Sequence, residues 1–393
     1  MMLWQPGQGK PAMVMVIGID AGNIAAQNSL DSERGHSASC SIANTTISEC
    51  IMQCYGKCIH WLLGFVAWLS LASVLPAAEE PVAIKQRPYQ VGFRRIDFRF
   101  TTPAGDECRR RLDLWYPTEQ QESPYNYRAQ QGFAAKDAKV APGRHPLLLF
   151  SHGYLGVSDQ SIFITEACAR AGYIVASMNH QDALVNIFQP GQDPPKFAEF
   201  AKWTDAKYRD RHDDIVALVD YLLELNGTKD SPLQDRIDPK LIGGVGHSLG
   251  GYTMLGLAGG WKSWHEPRIK ALVLFSPLAQ PYAVNGKLNN VSIPVMIQGG
   301  TFDIPITPFL PAVYDKLGGP RTFLVLKNET HFGWTNLVSL GKTTKETVAA
   351  GNPELMMRYC IAYFDQHLLG SDQAKILEAR DPALESYRFS NQR

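Results

Sequence analysis

The chain has 393 residues, 45% hydrophobic and 19% charged, which is the composition of a globular enzyme of one large domain or two small ones. Lys plus Arg balance Asp plus Glu, 38 against 38, so no net field draws the protein to nucleic acid or holds it on an anionic membrane. A small-molecule or neutral polymer partner remains.

The first elements are not those of a folded domain. From Met52 the chain reads MQCYGKCIHWLLGFVAWLSLASVLPAAEEP: a lysine near the start, an apolar run from Trp61 to Leu75, then Pro76-Ala77-Ala78 before acidic Glu79. That is the order of a secretory signal, expected to span 52–78 with cleavage near Ala78. An uncleaved anchor over 58–78 is the alternative reading. Residues 1–51 show no periodicity and displace the signal from its usual place, so Met52 is the expected start and 1–51 an extension. The mature domain is then 79–393, secreted or periplasmic, with no membrane span once the signal is removed. Cys50, Cys54 and Cys58 fall in the presequence, where no ligand-rich fold surrounds them. Cys108, Cys168 and Cys360 stay in the mature part, enough for at most one disulfide.

"VGFRRIDFRF" and "RRRLDLWYP" alternate apolar and polar residues around Pro103-Ala104-Gly105, which predicts an antiparallel hairpin. Residues 119–144 read as an irregular surface connection. "HPLLLFSHG" is then a continuous apolar strand, "SIFITEACARAGYIVASMNH" a helix followed by a strand, and 205–226 a long amphipathic helix. Apolar runs follow at 241–245, 271–275 and 293–298, each set off by a helical stretch, and "RTFLVLKN" adds another. A last helix runs from Asn352-Pro353 through Leu369, closed by Gly370. Strands apolar throughout and alternating with helices predict an α/β fold: a doubly wound, mostly parallel sheet with an antiparallel N-terminal hairpin.

Within "LIGGVGHSLGGYTMLGLAGG", Ser248 follows the strand at 241–245 and precedes a helical stretch at 252–257. That is the strand, sharp turn, helix setting of a nucleophile elbow, and Gly246 and Gly250 flank the serine where neighbouring backbone would clash with side chains. Gly251 is expected to let the helix pack closely. A serine hydroxyl needs a base in reach, and the base an orienting acid, in the chain order Ser, acid, His. Asp303 ends the strand of "IPVMIQGGTFD", and His331 lies in "ETHFGW" after the next strand. Asp303 has a rival reading as a loop-capping carboxylate. Glu329 sits too near His331 to orient it, and the preceding strand ends in "LFSPLAQ", with Ser276 where another acid might have stood. His152 is expected to brace its loop, and His247 to point away from the serine. The oxyanion donors are expected to be the backbone N–H groups of Leu249 and of Tyr154, in the loop after "HPLLLF". The stretch 182–203 is long for a connection and rich in Phe, Pro and Gly, so it either walls the acyl site, through Phe188, Phe197 and Trp203, or is a surface excursion.

"SHGYLG", "GHSLGG", "GGTFD" and "THFGW", in this order, resemble the α/β-hydrolase superfamily, and within it dienelactone-hydrolase-like proteins and the acetylhydrolases of platelet-activating factor. "LDLWYPT" and "RHDDIVALVDYL" are similar to the same branch. Tyr154 after His-Gly, and an acid placed as Asp303 is, resemble cutinase-like polyester hydrolases. The chain departs from dienelactone hydrolase in its serine nucleophile and from the acetylhydrolases in the strand that carries the acid. The resemblance implies a secreted serine hydrolase of carboxylic esters, on a small-molecule or polymeric ester, with Ser248, Asp303 and His331 as triad. Hydrolysis of amides or short peptides, or a non-catalytic exported binding protein, are the alternatives. No H-E-x-x-H or clustered ligand pattern occurs, so neither metal nor organic cofactor is expected.

Overall fold

The computed structural model describes residues 89–391, apart from 129, 187–195 and 350. The presequence readings, including the signal and its cysteines, lie outside these residues. Among the described residues no helix is long and apolar enough to cross a membrane. Cys108, Cys168 and Cys360 are unbridged.

Strands β1 (Gln90–Thr101) and β2 (Glu107–Thr118) form the expected antiparallel hairpin. Residues 119–144 are more ordered than their sequence suggests, with β3 (Ser123–Asn126) and β4 (Gln131–Lys136) pairing with each other and β4 running parallel to β1. The inward positions of β4 are Gly132 and Ala134, too small to give an apolar alternation. Then come β5 (His145–Ser151), α1 (Ile162–Arg170), β6 (Ile174–Met178), α2 (Arg209–Gly227), β7 (Ile237–His247) and α3 (Leu249–Leu255). Helix α2 starts four residues later than its periodicity suggests, because Tyr208 takes a left-handed conformation, φ +58°, that the helix cannot extend through. The remaining strands are β8 (Ile269–Phe275), β9 (Val295–Gly300), β10 (Arg321–Leu326) and β11 (Leu384–Ser390), with α4 (Asn352–His367) before the last. Strand β11 was not anticipated: its Tyr387 and Phe389 alternate with polar residues, a half-exposed edge pattern.

The strands make one sheet in the order β11-β10-β9-β8-β7-β5-β6-β2-β1-β4-β3. The six from β10 to β6 in that order are parallel, and β2 and β11 join antiparallel at either side. Successive residues of β5 feed opposite faces: Leu147 and Leu149 pack with Ile215, Leu218 and Leu222 of α2, while Leu148 and Phe150 pack with Phe163 of α1 and Tyr363 of α4. Burial on both faces is why these strands read as unbroken apolar runs. It also brings the carboxyl ends of the parallel strands to one edge, where the loops diverge.

Candidate active site

Ser248 stands between the last residue of β7 and the first of α3, with φ +53° and ψ −115°. That backbone is costly for a residue with a side chain and persists because its surroundings impose it. A Cβ built on Gly246 would lie 2.4 Å from the Gly250 carbonyl oxygen, and one on Gly250 would lie 1.9 Å from that of Ser151. A Cβ on Gly251 would meet Pro277 at 2.4 Å, so this glycine admits the loop after β8. The turn thus holds the hydroxyl at the carboxyl edge of the sheet, and Leu249 is buried at the start of α3.

Three loops converge on this hydroxyl. His331, on the loop after β10, places Nε2 3.0 Å from Ser248 Oγ. Its Nδ1 is 3.1 Å from Oδ1 of Asp303, which lies fully buried beyond the end of β9. The structure therefore brings Ser248, His331 and Asp303 together in the order the sequence suggested. Ser276, at the end of β8, donates its hydroxyl to Oδ2 of Asp303 and lies 2.9 Å from Nδ1 of His331. Sequence reasoning treated this position as a vacancy for an acid, whereas it supports the acid one strand further on. Glu329 turns away, bonding Asn352 and the Thr330 N–H. Burial raises its pKa.

His247 corrects its sequence reading. It does not point away from the site: its ring centroid is 5.0 Å from that of His331, and its Nε2 is 2.8 Å from the His331 carbonyl oxygen. Since that oxygen only accepts, Nε2 carries the proton, and Nδ1 accepts from Gln160 Nε2 at 3.1 Å. Burial, with His331 nearby, lowers its pKa to about 3, so the ring is neutral. Gln160 Oε1 in turn accepts from the Gly153 N–H at 3.0 Å. Gln160 was not singled out from sequence; its place seven residues after Gly153 is no signal in itself.

His152 braces its loop as expected. It is fully buried, donates Nδ1–H to the Gly153 carbonyl at 2.7 Å, and accepts the His180 N–H on Nε2 at 3.0 Å. Burial, then the nearby Arg211 and His180, keep its pKa well below the usual value. Tyr154, half-buried on that loop, and Ser248 line the same cleft of about 470 Å³, whose rim is apolar and exposed at Leu184, Phe332, Leu337 and Leu340.

Of the three aromatic walls expected from 182–203, Phe188 lies outside the described residues. Phe197 opens the short 3₁₀ turn Phe197–Lys202. Trp203 is a core residue, 3% exposed, with its ring 5.3 Å from Tyr252 and 5.4 Å from Tyr208. Its burial against α3 takes it out of the cleft; among the described residues of 182–203 it is Leu184 that lines it, beside Tyr154, Leu155 and Val157 of the loop after β5 and Phe332, Leu337 and Leu340 after His331. Among the described residues no cluster of His, Cys, Asp and Glu is arranged to hold a metal ion.

The chain is similar to several known proteins. A family profile described as "PETase: PET hydrolase-like" matches residues 202–361. "Cutinase est1" of Thermobifida alba is 25% identical over 189 residues, 47% of this chain and 53% of that protein. "Cutinase 2" of Thermobifida cellulosilytica is 26% identical over 186 residues, 46% of this chain and 58% of that protein. The chain thus spans little more than half the length of the cutinases it matches. The solved structure of a ferulic acid esterase from Streptomyces cinnamoneus superposes with a TM-score of 0.55 at 19% identity, covering 79% of this chain and 98% of that one. At that identity the likeness is one of fold.

Proposed function

We propose that this chain, which has the α/β-hydrolase fold, hydrolyses carboxylic esters through an acyl-enzyme formed on Ser248. The observation that carries this reading is the hydrogen-bonded series Ser248 Oγ, His331 Nε2, His331 Nδ1, Asp303 Oδ1, with separations of 3.0 and 3.1 Å, at the floor of an apolar cleft. In it, Ser248 attacks the ester carbonyl while His331 takes the hydroxyl proton. Asp303 holds the imidazole with its proton on Nδ1 and stabilises the imidazolium that forms. The N–H groups of Tyr154 and Leu249 receive the developing oxyanion. His331 returns the proton to the leaving alcohol, and water, activated by the same imidazole, releases the acid.

The rim of Leu184, Phe332, Leu337 and Leu340 favours an apolar or aromatic acyl group. Together with the cutinase and PET hydrolase-like relatives, it supports a polyester or similar apolar ester over the lactone or phospholipid substrates of the other branches. Export by the segment 52–78 fits an insoluble substrate.

The test is hydrolysis of a para-nitrophenyl ester series, acetyl to palmitoyl, by the chain and its Ser248→Ala variant, with fluorophosphonate labelling. Turnover that Ser248→Ala reduces by a factor approaching about a million is expected. Labelling without ester turnover overturns the reading in favour of the amide alternative, and absence of both overturns it in favour of the binding alternative.

A further inference from the structure

The segment "RHDDIVALVDYL" plays no part in the mechanism so far, yet its first residue is built into the floor of the oxyanion loop. Arg211, in the first turn of α2, is fully buried. Its Nη2 meets both carboxylate oxygens of Asp182 at 2.8 Å, and Asp182 is buried too. A buried guanidinium so paired is held in one orientation. Besides a long bond from Nη1 to Ser151 Oγ at 3.4 Å, it reaches main-chain oxygens: Nη1 donates to the His152 carbonyl at 2.8 Å and Nη2 to the Gly153 carbonyl at 3.2 Å.

The Gly153 carbonyl belongs to the same peptide unit as the Tyr154 N–H. It also accepts from His152 Nδ1 at 2.7 Å and from the Gly156 N–H at 3.0 Å. No described peptide is cis, so this unit is trans and planar, and donors gathered on the carbonyl side direct the N–H to the opposite side. Gly153 abuts the nucleophile, since a Cβ built on it would lie 3.4 Å from the Ser248 Cβ. Hydrogen bonds to a carbonyl also polarise its amide, and a charged donor does so most strongly.

We propose that Arg211, locked by Asp182, is a positioning residue that fixes and polarises the Gly153–Tyr154 peptide as an oxyanion donor. This rests on the ester-hydrolase reading above. Arg211 touches no substrate, so its effect falls on the tetrahedral state and not on ester binding.

The test compares the full chain with Arg211→Lys and Asp182→Asn, using para-nitrophenyl butyrate kinetics, inhibition by an alkylboronic acid that mimics the tetrahedral state, and near-ultraviolet circular dichroism for folding. One ammonium cannot serve the carboxylate and both carbonyls, so Arg211→Lys should lose roughly tenfold to a hundredfold in kcat with KM within about twofold. Boronate affinity should fall by the same factor as kcat/KM. Should Arg211→Lys not fold, Asp182→Asn, which keeps the guanidinium but loosens its lock, decides by the same split. A folded variant with wild-type kcat, or a loss confined to KM, overturns the proposal while leaving the reading intact. A wild-type chain without turnover or fluorophosphonate labelling overturns the reading, and this proposal with it.

Discussion

Ser276 and Asp303, from the ends of adjacent strands, share a hydrogen bond in which the serine hydroxyl donates to one carboxylate oxygen while the other faces His331. A hydrogen bond to a charged group is worth about 1.5–3 kcal/mol. Ser276→Ala should therefore lower kcat by roughly tenfold at unchanged KM, since Asp303 keeps its bond to His331. Asp303→Asn should cost far more, on the order of ten-thousandfold, because an amide stabilises the wrong tautomer. Steady-state kinetics of both variants on one ester check the ranking, and equal losses would contradict it.

The elbow glycines predict a sharp contrast. In Gly250→Ala the new methyl would sit 1.9 Å from a main-chain oxygen of β5, which cannot move without tearing the sheet, so loss of the soluble folded chain is expected. At Gly227 nothing lies within 4 Å and φ is negative, so Gly227→Ala should change stability by less than about 1 kcal/mol. Thermal unfolding of the two separates them.

Trp203 and Leu337 should behave oppositely. Trp203→Ala empties a core site and is expected to cost about 3–5 kcal/mol while leaving the acyl-chain profile alone. Leu337→Ser removes an exposed rim residue, so stability should hold while KM rises for long-chain esters more than for acetate. Urea unfolding beside the ester series measures both. A shifted chain-length profile in Trp203→Ala would return that residue to the cleft.

Acid should unfold this chain through its buried imidazoles. Burial lowers His247 from 6.5 to about 3 and His367 to about 4, and holds His152 and His180 well below the usual value. Each binds its proton more readily in the unfolded chain, so their contribution is whole above about pH 6.5 and drains as pH falls toward 4 and 3. Asp214 opposes this: burial raises its pKa from 3.8 to about 6, so it stabilises below 3.8 and loses that contribution as pH rises through 6. Burial also raises Asp159, Glu166 and Glu329 and lowers His145 and His212, so six imidazoles stand against four carboxyls and outweigh them. Urea midpoints should therefore drop from pH 8 to pH 5, and less steeply in His247→Gln; a flat profile would refute this.

The legible parts of the molecule were those whose signals are local. Ser248, Asp303 and His331 each end an unbroken apolar strand or its loop, so burial on both faces advertised the strands and the shared edge followed. Strand β4 stayed hidden because Gly132 and Ala134 face inward, and β11 because Tyr387 and Phe389 are only half-buried. Trp203 sat in a loop-like stretch beside the cleft, and nothing in its own neighbourhood shows that Tyr252 would receive it. The supporting contacts of Ser276, Gln160 and His247 join residues 27 to 87 positions apart, so they exist only once the loops have met.

The pairing of β11 with β10 has a consequence for handling the protein. Strand β10 leads directly into the loop of His331, and among the described residues its outer flank is satisfied by Leu384–Ser390. Clipping the chain after Pro382 would bare a row of main-chain donors and acceptors, offering a second copy a template for strand addition beside the imidazole. Carboxyl-side trimming would then show itself as clumping before it showed as lost turnover.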